Sequence, residues 1–163
     1  MNGYGPPVST VDQNELRTHQ ILILSGLLIG FISVRWEWVA AQALVFLLTV
    51  ISPTHGPYIL VYRLVLKPLG CLSPDVREDR PQAHRFAMSI GLVVTSLSSY
   101  LLYTGHPLPG WGLVWLILVL GSIALAGWCA GCFTYYMLHR LGIGGFFRYG
   151  PITGVFPGVR PPK

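Results

Sequence analysis

The sequence predicts an all-α integral membrane protein: a four-helix bundle built from two helical hairpins, with an interfacial amphipathic helix and an irregular C-terminal tail. Three observations carry that expectation. Of 163 residues, 52% are apolar and only 10% are charged, whereas a soluble domain carries about 25% charged residues. Mean hydropathy is +0.56. The apolar residues also gather into stretches of helical length, separated by short runs that hold the charges, glycines and prolines. Such a chain is neither disordered nor collagen-like, and it has too little charge to cover the surface of an ordinary cytosolic enzyme. The net charge of +5 is scattered rather than gathered into a patch, so no nucleic-acid partner is expected.

Residues 1–15 form an N-terminal segment with Gly5-Pro6-Pro7 and the acids Asp12 and Glu15. No basic region precedes a short apolar run and no small-residue cleavage site follows one, so the first apolar stretch is expected to be retained. That stretch, 16–34, follows Asp12-Gln13-Asn14-Glu15, an acidic run suited to a helix N-terminus. A second, 39–51, stops at Ser52-Pro53. One helix from 16 to 51 would be about 54 Å long, against a hydrocarbon core of about 30 Å. A tight hairpin turning at Arg35-Trp36-Glu37-Trp38 is therefore expected, with a partly re-entrant hairpin over 21–51 left open.

The segment 56–68 places Arg63 and Lys67 four residues apart on one face, with tyrosines and aliphatics elsewhere, which suits a helix lying on the membrane. A hydrophilic loop follows from Ser73 to His84. The third span is expected over 86–103, with Ser96, Ser98 and Ser99 bonding to neighbouring helices or to their own backbone. The fourth, over 111–138, is read as one long helix. The tail 142–163 is rich in glycine and proline, which forbids a regular helix, yet its phenylalanines and Tyr149 suggest that it packs on something.

With four spans, Arg17, Arg63, Lys67, Arg77, Arg80, Arg85, Arg140, Arg148, Arg160 and Lys163 fall on one side and only Arg35 on the other. The positive-inside rule then places both termini in the cytoplasm, in a bacterial inner membrane, with Trp36, Trp38, Tyr103, Trp111 and Trp115 at the outer interface. The basic inner surface would meet anionic lipid.

The residues able to carry chemistry lie near the end of the fourth stretch. Cys129 and Cys132 are three apart, on one face of the expected helix. Such a pair can cycle between dithiol and disulfide. Two cysteines do not make a structural zinc site, which needs four ligands; Cys71, His84 and His139 are the available completions. A packing role stands beside the chemical one, because Gly127-x-x-x-Gly131 with its neighbouring alanines is a close-packing face and cysteine is at home in apolar surroundings. Inside a helix a disulfide would be strained and a thiolate unsupported. No cofactor is expected, and haem or a metal held by His19 and His139 at the inner face is a minor alternative. Arg35 and Glu37 are open to reading as a functional intramembrane pair, but a hairpin turn at the water interface accounts for them more simply, and His106 is expected to sit in a turn.

The order of hairpin, basic interfacial stretch, polar loop with Asp79-Arg80-Pro81-Gln82-Ala83-His84-Arg85-Phe86-Ala87, and a last span with Gly127-Trp128-Cys129-Ala130-Gly131-Cys132-Phe133-Thr134-Tyr135-Tyr136 resembles a bacterial four-span membrane family of unknown function, DUF4395-like, over about residues 16–142. The resemblance implies a thiol or sulfur-handling role with a thioredoxin-like or rhodanese-like partner, and it carries over only Cys129 and Cys132 as functional residues; Cys71 is outside its pattern. Two functions are therefore expected in competition: a thiol-redox or sulfur-handling membrane protein using the Cys-x-x-Cys near the cytoplasmic face, or a non-catalytic accessory subunit packed against other subunits of a respiratory or photosynthetic membrane complex.

Overall fold

The computed structural model describes residues 9–70, 73–142, 150, 154 and 156–160. Cys71 and most of the tail lie outside the described residues. The elements run β1 (Ser9–Asp12), α1 (Gln13–Ile32), α2 (Trp36–Ile51), α3 (Pro57–Val61, continued by a π-helical turn Tyr62–Leu66), β2 (Val76–Asp79), α4 (Pro81–Tyr103), α5 (Pro107–Ala126) and α6 (Ala130–Arg140).

Helices α1, α4 and α5 are each long and apolar enough to cross a membrane, whereas α2 is a shorter apolar helix of 16 residues. Asp12 caps α1, its side chain accepting the backbone N–H of Asn14 at 3.0 Å. Pro81 opens α4 and Pro107 opens α5 at positions where a missing N–H costs nothing. The α1–α2 turn carries Val34 at φ 51, and the Arg35–Glu37 pair sits there, exposed, at 3.3 Å as expected. His106 precedes α5 in the α4–α5 turn.

Leu27, Val39 and Val114 are fully buried where α1, α2 and α5 meet, with Ile23, Phe46 and Leu118 beside them. Helix α4 packs on both α2 and α5. Ser98 Oγ donates to the carbonyl of Gly110 at 2.8 Å, the interhelical bond expected of this serine row. Thr95 instead bonds its own helix at Gly91, at 2.7 Å. Many leucines, isoleucines and valines remain exposed on the outer faces of α1, α2, α4 and α5, as a lipid-facing surface requires.

Two expectations need correction. The polar loop is partly structured: Val76–Asp79 pairs antiparallel with Ser9–Asp12, so a two-stranded ribbon accompanies the helices. Its last residues belong to α4, which begins at Pro81 rather than Phe86. The ribbon draws the start of α1 to the start of α4, and Gln13 N–H donates to the Asp75 carbonyl at 2.8 Å.

The stretch expected as one helix over 111–138 is two helices. Gly127 adopts φ +116, in the left-handed region that glycine enters at no steric cost, and ends α5. Its N–H and that of Trp128 close back on Ala124 and Ile123 at 3.1 and 3.3 Å. Cys129 is extended, and a new helix begins at Ala130. Apolar periodicity ran through the break because both helices bury apolar residues, so only the glycine marked it.

The segment expected to lie at the membrane surface also packs on the protein. Ile59 and Tyr62 of α3 and its π-turn are buried, and the Tyr62 hydroxyl donates to Asp12 at 2.9 Å. Arg63, with its guanidinium on Glu15 at 2.9 and 3.1 Å, is tied to α1. The segment is docked on the helical body by one face, with Leu64 and Leu69 exposed.

Candidate functional site

The break between α5 and α6 turns Cys129 and Cys132 from residues inside a helix into residues at a helix start. Cys129 is the N-cap of α6, and its Sγ accepts the backbone N–H of Cys132 at 3.2 Å. The unpaired N–H groups and positive dipole end of a helix favour an anion there. Helix α6 itself packs tightly on α4, since a Cβ on Gly131 would lie 2.6 Å from that of Ala87. The expected close-packing role of Gly131 is therefore met, while Gly127 serves as the helix stop.

The described part of the tail completes the site. Cys129 N–H donates to the Gly158 carbonyl at 2.8 Å, and Arg160 N–H donates to Gly127 at 2.9 Å. Trp128 and Val159 form a bridge between the two segments, and Phe156 stacks on Phe133. The expectation that the tail packs on something holds for 156–160, which cover the thiol motif.

From the other side, α4 presents His84. Its Nδ1 is 3.6 Å from Cys132 Sγ, and its Nε2 is 2.8 Å from Asp79 Oδ2. Asp79 also accepts the side-chain amide of Gln13 at 2.9 Å and the backbone N–H of Arg80 at 2.7 Å. The carboxylate holds an N–H on Nε2, so Nδ1 is the ring nitrogen that faces sulfur. Ala83, Cys132, Tyr135 and Tyr136 pack around this group as a second core.

The two thiols differ. A hydrogen bond from Cys132 lowers the Cys129 pKa most; burial opposes it, and His84 and the α6 N–H groups add to it, so that Cys129 falls to about 7. Cys132 is pushed well above its ordinary value by its bond to Cys129, by burial and by the nearby negative charge. Asp79 is disfavoured as an anion by burial, but bonds from His84, Arg80 and Gln13 outweigh that and hold it below the usual carboxylate value. The geometry thus makes Cys129 the partly accessible thiolate and Cys132 the buried protonated thiol.

Two cavities border Cys129. A small one of about 40 Å³ is lined by Gln13, Asp79, His84, both cysteines, Tyr136 and the tail residues Gly158, Val159 and Arg160. A larger, apolar one of about 150 Å³ lies between α1, α4 and α5. His19 lines the latter, nearly fully buried, edge-on to the rings of Phe46 and Tyr58 and with neither ring nitrogen bonded. A buried unsatisfied polar group costs about 1–3 kcal/mol.

His19 is therefore a core residue. His139 lies in the last turn of α6, near Gly150. Among the described residues no cluster of three or more His, Cys, Asp or Glu is arranged to hold a metal. In the sequence His84 stood out as a spare metal ligand and, with Asp79, as part of the polar-loop motif, and Gln13 as part of the acidic run ahead of α1; none was read as a partner of the cysteines. The available signals were the acid just ahead of Pro81 with a histidine in the following turn, and a glycine two residues before the first cysteine.

Fold and site together define a helical protein with three membrane-length apolar helices and a dithiol at the head of a short internal helix. The family profile for the domain of unknown function DUF4395 matches residues 11–140, and the chain belongs to that family. No curated protein and no solved structure gives a significant match.

Proposed function

We propose that this is an integral membrane thiol protein, of four membrane segments with α2 as the short one, in which Cys129 and Cys132 exchange electrons or sulfane sulfur with a thioredoxin-like or rhodanese-like protein. The carrying observation is Cys129 at the head of α6 with its sulfur on the Cys132 N–H, while His84, backed by Asp79, faces Cys132. In disulfide exchange, the Cys129 thiolate attacks one sulfur of a partner disulfide and the other leaves as a thiolate. Cys132 passes its proton to His84 Nδ1 and attacks Cys129 Sγ, forming the Cys129–Cys132 disulfide. The partner's second sulfur departs, and the two released thiolates gain protons from His84 and water. With a persulfide donor, Cys129 would instead accept the outer sulfur and release the donor thiolate.

The cytoplasmic placement of both termini rests on the basic residues of the inner loops and flanks. Differential alkylation of both cysteines in intact cells and in inverted membrane vesicles, before and after reduction, tests site and sidedness together. Thiols reactive from the vesicle exterior and partly oxidised or persulfidated support the proposal. Thiols that stay reduced and blocked in both preparations leave the accessory-subunit alternative in its place.

A further inference from the structure

The apolar cavity has no part in the exchange described above, yet Cys129 is on its wall. Aliphatic side chains such as Leu16, Ile23, Met88 and Leu120 line it together with Phe46 of α2, and Gln20 and His84 also border it. Ile90, at its edge, is exposed on the apolar outer surface. Its one deeply buried polar side chain is His19, whose two nitrogens find no partner. An apolar space of this size accepts a six-membered ring, and a cofactor pocket is characteristically apolar with a few placed polar groups. A neutral imidazole offers one N–H to a carbonyl oxygen and one lone pair to a hydroxyl.

A lipid-soluble, one-ring molecule with ring oxygens, and with an affinity for electrons that a dithiol can satisfy, meets all of these conditions. We infer that the cavity binds the headgroup of a benzoquinone-class molecule, entering from the lipid side, with a ring oxygen on His19 and the ring beside Cys129. The inference rests on the thiol reading of the same site and names its electron acceptor. The step balances: the Cys129 thiolate and Cys132 thiol form one S–S bond and give up two electrons. The quinone takes both electrons, the proton of Cys132 by way of His84, and one further proton from water, and leaves as the hydroquinone.

The test uses the purified full chain in lipid nanodiscs, reduced and kept anaerobic, with a decyl-substituted dimethoxy-methyl-benzoquinone as the probe. Quinone absorbance, free thiols and the rate of reaction with a small protein disulfide are followed in parallel. The wild type is expected to reduce one quinone per dithiol. His19→Leu, which keeps bulk but removes both nitrogens, should raise the quinone KM about tenfold, the equivalent of one lost hydrogen bond; His19→Gln should restore part of it. Leu120→Trp, which fills the space, should abolish quinone reduction.

All three variants should keep the wild-type rate with the protein disulfide, which also reports that they fold. Disulfide exchange without quinone reduction in the wild type overturns the quinone inference and leaves the thiol reading standing. Equal quinone kinetics in wild type, His19→Leu and Leu120→Trp overturn the cavity as the site. A dithiol inert to both probes overturns the thiol reading as well.

Discussion

His84 Nδ1 lies 3.6 Å from Cys132 Sγ, although 48 positions separate the two residues in the chain. Because Asp79 holds the opposite ring nitrogen at 2.8 Å, His84 Nδ1 and the proton of Cys132 are set face to face. The same proton also bonds toward Cys129. One hydrogen therefore serves two acceptors, and its position decides which sulfur is charged.

Cys129 is expected to react first with iodoacetamide, with a rate midpoint at about pH 7. The thiolate is the reactive form and its fraction rises with pH, so alkylation should be about tenfold slower at pH 6 than at pH 8. Peptide mapping of a brief labelling pulse across pH 5 to 10 checks this. A midpoint near 9, or labelling of Cys132 ahead of Cys129, would sink the assignment of roles.

Replacing Asp79 by Asn should slow the second step, closure of the Cys129–Cys132 disulfide, while leaving first labelling of Cys129 within about threefold of wild type. The carboxylate also makes stability depend on pH. Its folded pKa is depressed below 3.8, so its contribution is full above the unfolded value and is lost as pH falls through the folded one. Wild type should lose stability in that acid window, and Asp79→Asn should lack that part of the slope. Identical acid melting curves for the two proteins would refute it.

Gly158 has φ +84, and a Cβ there would sit 2.8 Å from the Cys129 carbonyl. Gly158→Ala should lift 156–160 from the α5–α6 break and speed Cys129 alkylation severalfold, with about 1–2 kcal/mol lost in melting experiments. Unchanged labelling would mean that the tail does not control access to the thiol.

Gly127 at φ +116 lets α5 end and frees Cys129 to cap α6. In Gly127→Ala the left-handed conformation costs about 1–2 kcal/mol, and relief by continuing the helix would take Cys129 out of its cap. The expected result is a Cys129 midpoint that moves upward from about 7, back toward an ordinary thiol. A midpoint that stays in place would show that the break does not set the thiol's acidity.

Much of the helical body was legible in the residues themselves. Apolar runs marked the helices and Ser52-Pro53 the end of α2, although α4 and α5 begin at Pro81 and Pro107, ahead of the expected 86 and 111; the turn at Arg35 and Glu37 and the bond from Ser98 to α5 met expectation. The site was legible only as a pair of cysteines. Its partners escaped notice because Gln13, Asp79 and His84 are remote from the motif in sequence and are gathered by the β1–β2 ribbon, whose two short, charged strands carry no apolar alternation.

The sequence by itself determined that long apolar helices form and that a Cys-x-x-Cys follows a glycine, because these depend on local chemistry and on the length of apolar runs. Tertiary structure alone decided that α6 is a separate helix headed by Cys129, that His84 and Asp79 stand behind Cys132, that the tail covers the motif, and that His19 faces an apolar cavity. Those outcomes depend on which distant backbone groups satisfy one another: the Cys129 N–H finds its acceptor at Gly158 and the Gln13 amide finds its own at Asp79. A local pattern contains no trace of bonds made across such separations.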